Sequence, residues 1–380
     1  MDKPSVYSHQ DPLKKLGSSS PLLEKLRLLH GHLKHQHHYI DRIAVALFDA
    51  KTDTLKTFAW SSEHESPLTH YQASLSDAPS LIEIIKSGNP RVVNNMEIFS
   101  DGQNTHTRVL EKSHFGSSYT FPMYQDGQFI GFIFFNSFEK NVFEESTLVD
   151  LDMTAHMLVL LVSHEQDVVG TLQATVRSAM NFTHHRDPET AMHIDRMSRF
   201  SRLIADELAH KYGFDDQFVE HIFLFSPLHD IGKISIPDSV LLKPGKLDDQ
   251  EFEIMKSHAE KGKELIDTLL ENFSLDSLNY IDILKNIAHH HHEAYDGSGY
   301  PDGLVAQDIP IEARIVAVAD VFDALTSERP YKKAWSNDDA FAKIDAMAGT
   351  KLDRECVDAL IKNRELVEEI QRQFKENIIG

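Results

Sequence analysis

Imidazole rings occupy positions where helical periodicity calls for apolar side chains, on stretches far apart in the chain. Asp187-Pro188 is a helix start, with Asp as N-cap and Pro in the first turn. Met197, Phe200 and Ile204 then mark an inward stripe; His193 lies on it, and Glu189 shares that face one turn earlier. Phe218, Ile222 and Phe225 define a second stripe, and His229 follows eleven residues after Phe218, about three turns on, with Asp230 beside it. Asp248 and Glu251 form a capping-box start, after which Ile254, His258 and Leu265 share a face. Tyr280, Leu284 and Ile287 lead to His291 and its neighbour His292, and in the helix from Glu312 Asp320 lines up with Ala313, Ala317 and Ala324. A lone buried histidine is ordinarily a hydrogen-bonded core residue. Several imidazoles and carboxylates turned toward one interior each cost on the order of several kcal/mol to bury unpaired, and bound cations satisfy them together.

The donor types narrow the metal. Imidazole and carboxylate without thiolate suit iron, manganese or zinc, and seven or eight candidate ligands exceed what one ion takes. Two divalent ions bridged by a carboxylate are expected, with Asp230 as the bridge. The single cysteine, Cys356, excludes an internal disulfide and a cysteine-rich zinc or iron–sulfur site. With 38 basic against 59 acidic residues, a formal charge of −21, general nucleic-acid binding and adsorption to an anionic membrane are disfavoured. The apolar run Met157 to Val162 is far short of a bilayer span, and Met1 to Gln10 lacks a signal-peptide core, so a cytoplasmic location is expected.

The 380 residues suggest two domains. Residues 1–20 read as a flexible arm. From Pro21 a helical period runs through Leu22, Leu26, Leu29 and Leu33, and His30, His32, His35, His37 and His38 read either as a solvated helix end or as a ligand set. Strand texture follows: Ile43 to Phe48, Leu55 to Trp60, then Ser117 to Tyr124 and Phe129 to Phe135 around a turn at Gln125-Asp126-Gly127-Gln128. An antiparallel sheet flanked by helices is expected, with a nearly continuous helix from Glu144 to Met180 after it. The order of these pieces, with Gly116-Ser117-Ser118 before the hairpin and Phe143 before the exit helix, resembles a GAF domain. That resemblance implies a regulatory module at 21–150, either binding a ligand or only dimerising, joined by a linker helix at 151–180 to a catalytic domain at 181–380. The linker could pair with its copy in a homodimer.

The second half carries a more specific resemblance. His229-Asp230-Ile231-Gly232-Lys233, Ile236-Pro237, Leu242-Lys243-Pro244-Gly245-Lys246-Leu247, His258 with Gly262, His291-His292-Glu293, Asp296-Gly297-Ser298-Gly299-Tyr300-Pro301 and Ala319-Asp320-Val321-Phe322-Asp323-Ala324-Leu325-Thr326 occur in order, and the segment from Arg186 to Trp335 resembles an HD-GYP domain. The resemblance implies an α+β chain whose C-terminal half is an all-α HD-superfamily bundle. It also implies a two- or three-metal centre of iron, or else manganese, and hydrolysis of cyclic di-GMP to linear pGpG and on to GMP. Carried over position by position, the ligands would be His193, His229, Asp230, His258, His291, His292 and Asp320, with Asp230 and Lys233 at the reacting phosphate and Lys233, Arg329 and Lys332 facing substrate. Gly299, Tyr300 and Pro301 would form a structural turn or a partner-facing loop. The family usually has tyrosine where Glu189 stands; Glu189 could support a third metal or serve as an acid at a helix N-terminus. That departure motivates an alternative, a catalytically weak cyclic di-GMP receptor; a phosphohydrolase of another nucleotide is a third reading. Asp323 is placed to hydrogen-bond a ligand histidine or to lie on the helix surface, and His289 and His290 fall outside the ligand set.

Overall fold

The computed structural model describes residues 8–18, 20–63, 71–99, 114–182, 191–273, 280–328 and 333–375. The calls at Glu189, Arg329 and Lys332 lie outside the described residues. Contacts divide the chain into two compact units between Val168 and Val169, later than the expected end of the first domain at 150 and inside the linker helix. The first unit holds the sheet and the second is helical, so the chain is α+β.

In the first unit, β1 (Arg42–Asp49), β2 (Thr54–Ser62), β3 (Gln72–Ser74), β4 (Arg91–Val93), β5 (Ser117–Gln125) and β6 (Gln128–Ser137) form an antiparallel sheet of order β3-β2-β1-β6-β5-β4. Alternation along the strands sorts side chains to two faces. Ile43, Val45, Phe121, Ile133 and Phe135 pack with Leu22, Leu26, Leu29 and Leu33 of α1 (Leu22–Lys34) and with Leu151, Ala155, Leu158 and Val162 of a long helix. Phe132, one residue out of step, joins Leu55 and the Leu81 and Ile84 pair of α2 (Pro79–Ser87) on the other side. The β5–β6 hairpin closes in two residues, Asp126 and Gly127, at φ 48° and 78°, the left-handed pair that matches strand twist. A cavity of about 900 Å³, open mouth included, has Arg42, Lys56 and Arg91 in its wall.

The long helix, α3 (Glu145–Phe182), is 38 residues. Over Glu145–Leu172 it is long and apolar enough, with a mean hydropathy of 1.3, to cross a membrane by length and composition alone; Leu151, Ala155, Leu158 and Val162 of this stretch are core residues of the sheet unit. The histidine group before β1 divides. His32, His35 and His38 are exposed, as a solvated helix end requires. His30 is neither solvated nor set up as a ligand: it is 4% exposed, and both its ring nitrogens are taken, by Ser61 Oγ at 2.8 Å and Ile40 O at 2.9 Å. It shares the face of Leu22, Leu26, Leu29 and Leu33, so the apolar period carried it inward.

The second unit contains α4 (Ala191–Tyr212), α5 (Asp216–Phe225), α6 (Asp238–Leu241), α7 (Asp249–Lys256), α8 (His258–Phe273), α9 (Ile281–His290), α10 (Ile311–Thr326), α11 (Asn337–Met347), α12 (Arg354–Lys362) and α13 (Arg364–Gln373). α10 is buried nearly all round through Ala313, Ile315, Val316, Ala317, Val318, Ala319 and Phe322, which makes it the central rod of the bundle. Two expected stripes are interrupted. The α5 helix gives way to a 3-10 turn at Ser226–Leu228, where Pro227 lacks the N–H that an α-helix would use, and His229 follows that turn. α7 has its capping box, but Ile254 is 40% exposed, and His258 opens a new helix after Ser257.

Gly232 and Gly262 bring the turn after Asp230 against α8. A Cβ on Gly232 would stand 1.9 Å from His258 O and 2.5 Å from Gly262 N, both backbone atoms that cannot swing away. The turn bearing Asp230 is thereby held next to the helix bearing His258. Gly232→Ala is expected to destabilise the protein by about 2 kcal/mol or more, the scale of overpacking, read as a drop in the urea midpoint.

Candidate metal centre

Four inward histidines, His193, His229, His258 and His291, are anchored through one nitrogen and present the other. The ring nitrogen Nδ1 of His229 lies 2.9 Å from Ser226 O, that of His258 2.7 Å from Met255 O, and that of His291 2.9 Å from Ile287 O. A carbonyl only accepts, so Nδ1 carries the proton in all three, and in the neutral ring Nε2 carries the lone pair. His193 is held by a carboxylate instead, Nδ1 to Asp323 Oδ2 at 2.7 Å. All four rings are buried, between 1% and 4% exposed. Burial, with His291 adding to it for His292, pulls the pKa of His291 and His292 below the ordinary imidazole range, so both are neutral at neutral pH.

The Nε2 atoms of His229, His258 and His291 converge on Asp230. One carboxylate oxygen, Oδ1, is 3.1 Å from His258 Nε2 and 3.7 Å from His291 Nε2; the other, Oδ2, is 3.1 Å from His229 Nε2 and 2.7 Å from Lys233 Nζ. Burial opposes a charge on Asp230, but the Lys233 ammonium and His229 outweigh it and hold the carboxyl well below the usual carboxylate range. Two sets of donors result, each with its atoms within 4.8 Å of one another: Asp230, His258, His291 and His292, and His193, His229 and Asp320.

This donor set fits a cation. His258 Nε2 and His291 Nε2 face each other at 3.5 Å although each ring's proton is committed to a carbonyl on its far side. Two lone pairs, with an ionised carboxylate oxygen within reach of both, repel unless positive charge lies between them. A divalent ion supplies that charge, and imidazole with carboxylate suits a transition metal rather than magnesium or calcium.

Sequence reasoning assigned no role to two supports, Arg196 and Glu293. Asp323, with 0% exposure, holds His193 and is itself held by Arg196, Nε to Oδ1 at 2.6 Å and a second guanidinium nitrogen to Oδ2 at 3.1 Å. Of the two readings open for Asp323, the geometry is the hydrogen-bonded one; Arg196, one helical turn after His193, was the available signal. Asp320, three residues before Asp323 on α10, faces His193 from the other side, Oδ1 to Nε2 at 3.9 Å. Glu293 accepts hydrogen bonds from the backbone N–H groups of Asp302, Gly303 and Leu304 at 2.8 to 3.1 Å, which folds the loop after Pro301 back on α9. Gly299 is required there, since a Cβ would stand 2.1 Å from Ala294 N. The Tyr300 ring lies 4.8 Å from that of His292, centroid to centroid, and is half-buried, so the aromatic of the Gly-Tyr-Pro turn covers the histidines rather than facing outward. Asp323→Asn should lower metal affinity by about 10- to 100-fold, because the carboxylate orienting His193 is lost; competition with a coloured chelator measures it.

Residues 187–356 match the family model described as an HD domain. A cyclic di-GMP phosphodiesterase response regulator, RpfG, of Xanthomonas campestris pv. campestris is 50% identical over 50% of this chain and 47% of its own. A 3'3'-cGAMP-specific phosphodiesterase 2 of Vibrio cholerae is 35% identical over 66% of this chain and 46% of its own. The chain thus spans about half the length of these curated relatives. A solved GAF domain/HD domain protein of Geobacter sulfurreducens is 18% identical, with 39% of this chain and 95% of that one covered, at a TM-score of 0.32. Joined to the helical bundle and its two sets of histidine and aspartate donors, the family match makes residues 187–356 an HD domain.

Proposed function

We propose that the protein is a metal-dependent phosphodiesterase that hydrolyses cyclic di-GMP to linear pGpG, and further to GMP, with two ions of iron, or else manganese, as cofactors. The observation carrying this reading is Asp230, whose two oxygens each face a different histidine set. Bound there, two divalent ions would offer Lewis-acid stabilisation of a phosphoryl group and a hydroxide nucleophile at neutral pH. The rest falls to the chain. Asp230, His229, His193 and Asp320 would hold one ion, and Asp230, His258, His291 and His292 the other. Lys233, 2.7 Å from Asp230, keeps that carboxylate ionised and brings an ammonium to the edge of the centre, suited to a phosphate oxygen. Arg329 and Lys332 are proposed at the substrate, and Glu189 as the ligand of a third ion, on the sequence alone.

The relatives' names supply two cyclic dinucleotides, cyclic di-GMP and 3'3'-cGAMP, so the assay carries both. Metal-loaded protein is expected to linearise cyclic di-GMP faster, with kcat/KM falling on the order of 10³-fold in the His229→Ala, Asp230→Ala variant, which removes charge stabilisation at the reacting phosphate. Binding without turnover in fully metallated protein would support the weak-receptor alternative, and preference for 3'3'-cGAMP would change the substrate.

The division into a regulatory module at 21–150, a coupling helix at 151–180 and a catalytic domain at 181–380 is part of the same proposal, supported by the cavity with Arg42, Lys56 and Arg91 in its wall. A partner at the Gly-Tyr-Pro loop would meet exposed Ser298 and Pro301. A homodimer is supported by Val149, Met153 and Leu160, 61%, 62% and 71% exposed on α3. Leu160→Glu should shift the mass in light scattering from dimer toward monomer.

A further inference from the structure

The histidine run before the ligand pair has its own carboxylate. His289 Nε2 lies 3.1 Å from Asp302 Oδ2, and His290 Nδ1 lies 3.6 Å from the same oxygen. The three donor atoms are all within 4.8 Å of one another and share no residue with the two donor sets around Asp230. We propose that His289, His290 and Asp302 form a separate site for one borderline transition-metal ion, with zinc as the probe, tying the C-terminal end of α9 to the loop after Pro301.

Three observations carry it. Ligands at about 2.0 to 2.1 Å around a tetrahedral ion stand about 3.3 Å apart, and the two measured separations bracket that value. His290 Nδ1 is buried, makes no hydrogen bond and faces the Asp302 oxygen from beyond hydrogen-bond distance, a position that a shared cation would fill. Asp302 is also set in place by a built loop: its N–H, with those of Gly303 and Leu304, is bound by the buried Glu293 carboxylate, itself four residues after His289. Two imidazoles and one carboxylate leave a fourth tetrahedral position to water, and the donor set favours zinc, cobalt or nickel over magnesium or calcium.

The ion brings together the segment that ends in His291 and His292 and the loop that lays Tyr300 over them, so its occupancy braces the wall of the main centre without entering it. Equilibrium dialysis of the full-length protein against Zn²⁺, followed by elemental analysis, tests the site. The Asp302→Asn, His290→Gln variant is expected to retain one ion per chain fewer than the wild type, and the His229→Ala, Asp230→Ala variant to keep that ion while losing metal at the main centre. Zinc should also raise the melting temperature of the His229→Ala, Asp230→Ala protein, and the shift should vanish when Asp302→Asn is added. Equal zinc content in the wild type and the Asp302→Asn, His290→Gln variant overturns the proposal, as does loss of the additional ion with the main-centre variant. If the double substitution unfolds the protein, Asp302→Asn alone, which keeps an acceptor for His289, gives the same comparison. The hydrolytic reading can fail on turnover while this site is found, and the reverse.

Discussion

The proton on Nδ1 organises this molecule's second half. In His229, His258 and His291 it is committed to a backbone carbonyl three or four residues earlier, and in His193 it meets Asp323. A ring anchored in that way has one orientation and turns its basic nitrogen toward the carboxylates of the centre, Asp230 for His229, His258 and His291 and Asp320 for His193. The local carbonyls are in place once the turns form: Ser226 O and Ile287 O already accept the backbone N–H of His229 and His291, and the ring N–H uses the second lone pair. The long-range anchor of His193 needs Arg196 and a buried aspartate 130 residues away. Break these anchors and the convergence on one carboxylate is lost, even with every candidate ligand still present.

Close packing then fixes how near the anchored rings come. Gly232 allows two backbone segments to touch where a Cβ on it would part them, placing Asp230 within 3.1 Å of His258. Gly299 does the same for the loop that lays Tyr300 on His292. α10, buried on nearly every side, carries Asp320 and Asp323 on one rigid element, so the aspartate that holds His193 and the one that faces it move together. Lys233 completes the balance by offsetting the burial of Asp230.

Much of this was legible in one dimension. β-branched and aromatic runs separated by turn residues located the β1–β2 and β5–β6 pairs, and Asp126-Gly127 marked the hairpin turn because two left-handed residues are needed there. The histidines out of place on apolar stripes located the rings that meet, since the same period that buries leucine buries imidazole. The same rule read His30 poorly: counted among its neighbours in a histidine-rich run it looked solvated, whereas its own position on the stripe put it in the core. Ile254 failed in the opposite direction, because the helix it belongs to ends before His258 and turns that face to water.

What the sequence determined by itself was residue chemistry and local period: which side chains can donate to a metal, that no thiolate accompanies them, and which face of each helix they occupy. Tertiary structure decided distances and protonation. Whether Asp323 lay on the surface or behind His193 depends on a contact 130 residues away, and whether Tyr300 faced outward or covered His292 depends on how the loop between them closes. Periodicity repeats along a chain and can be read from it, whereas a hydrogen bond across 130 residues exists only after packing has chosen the neighbour.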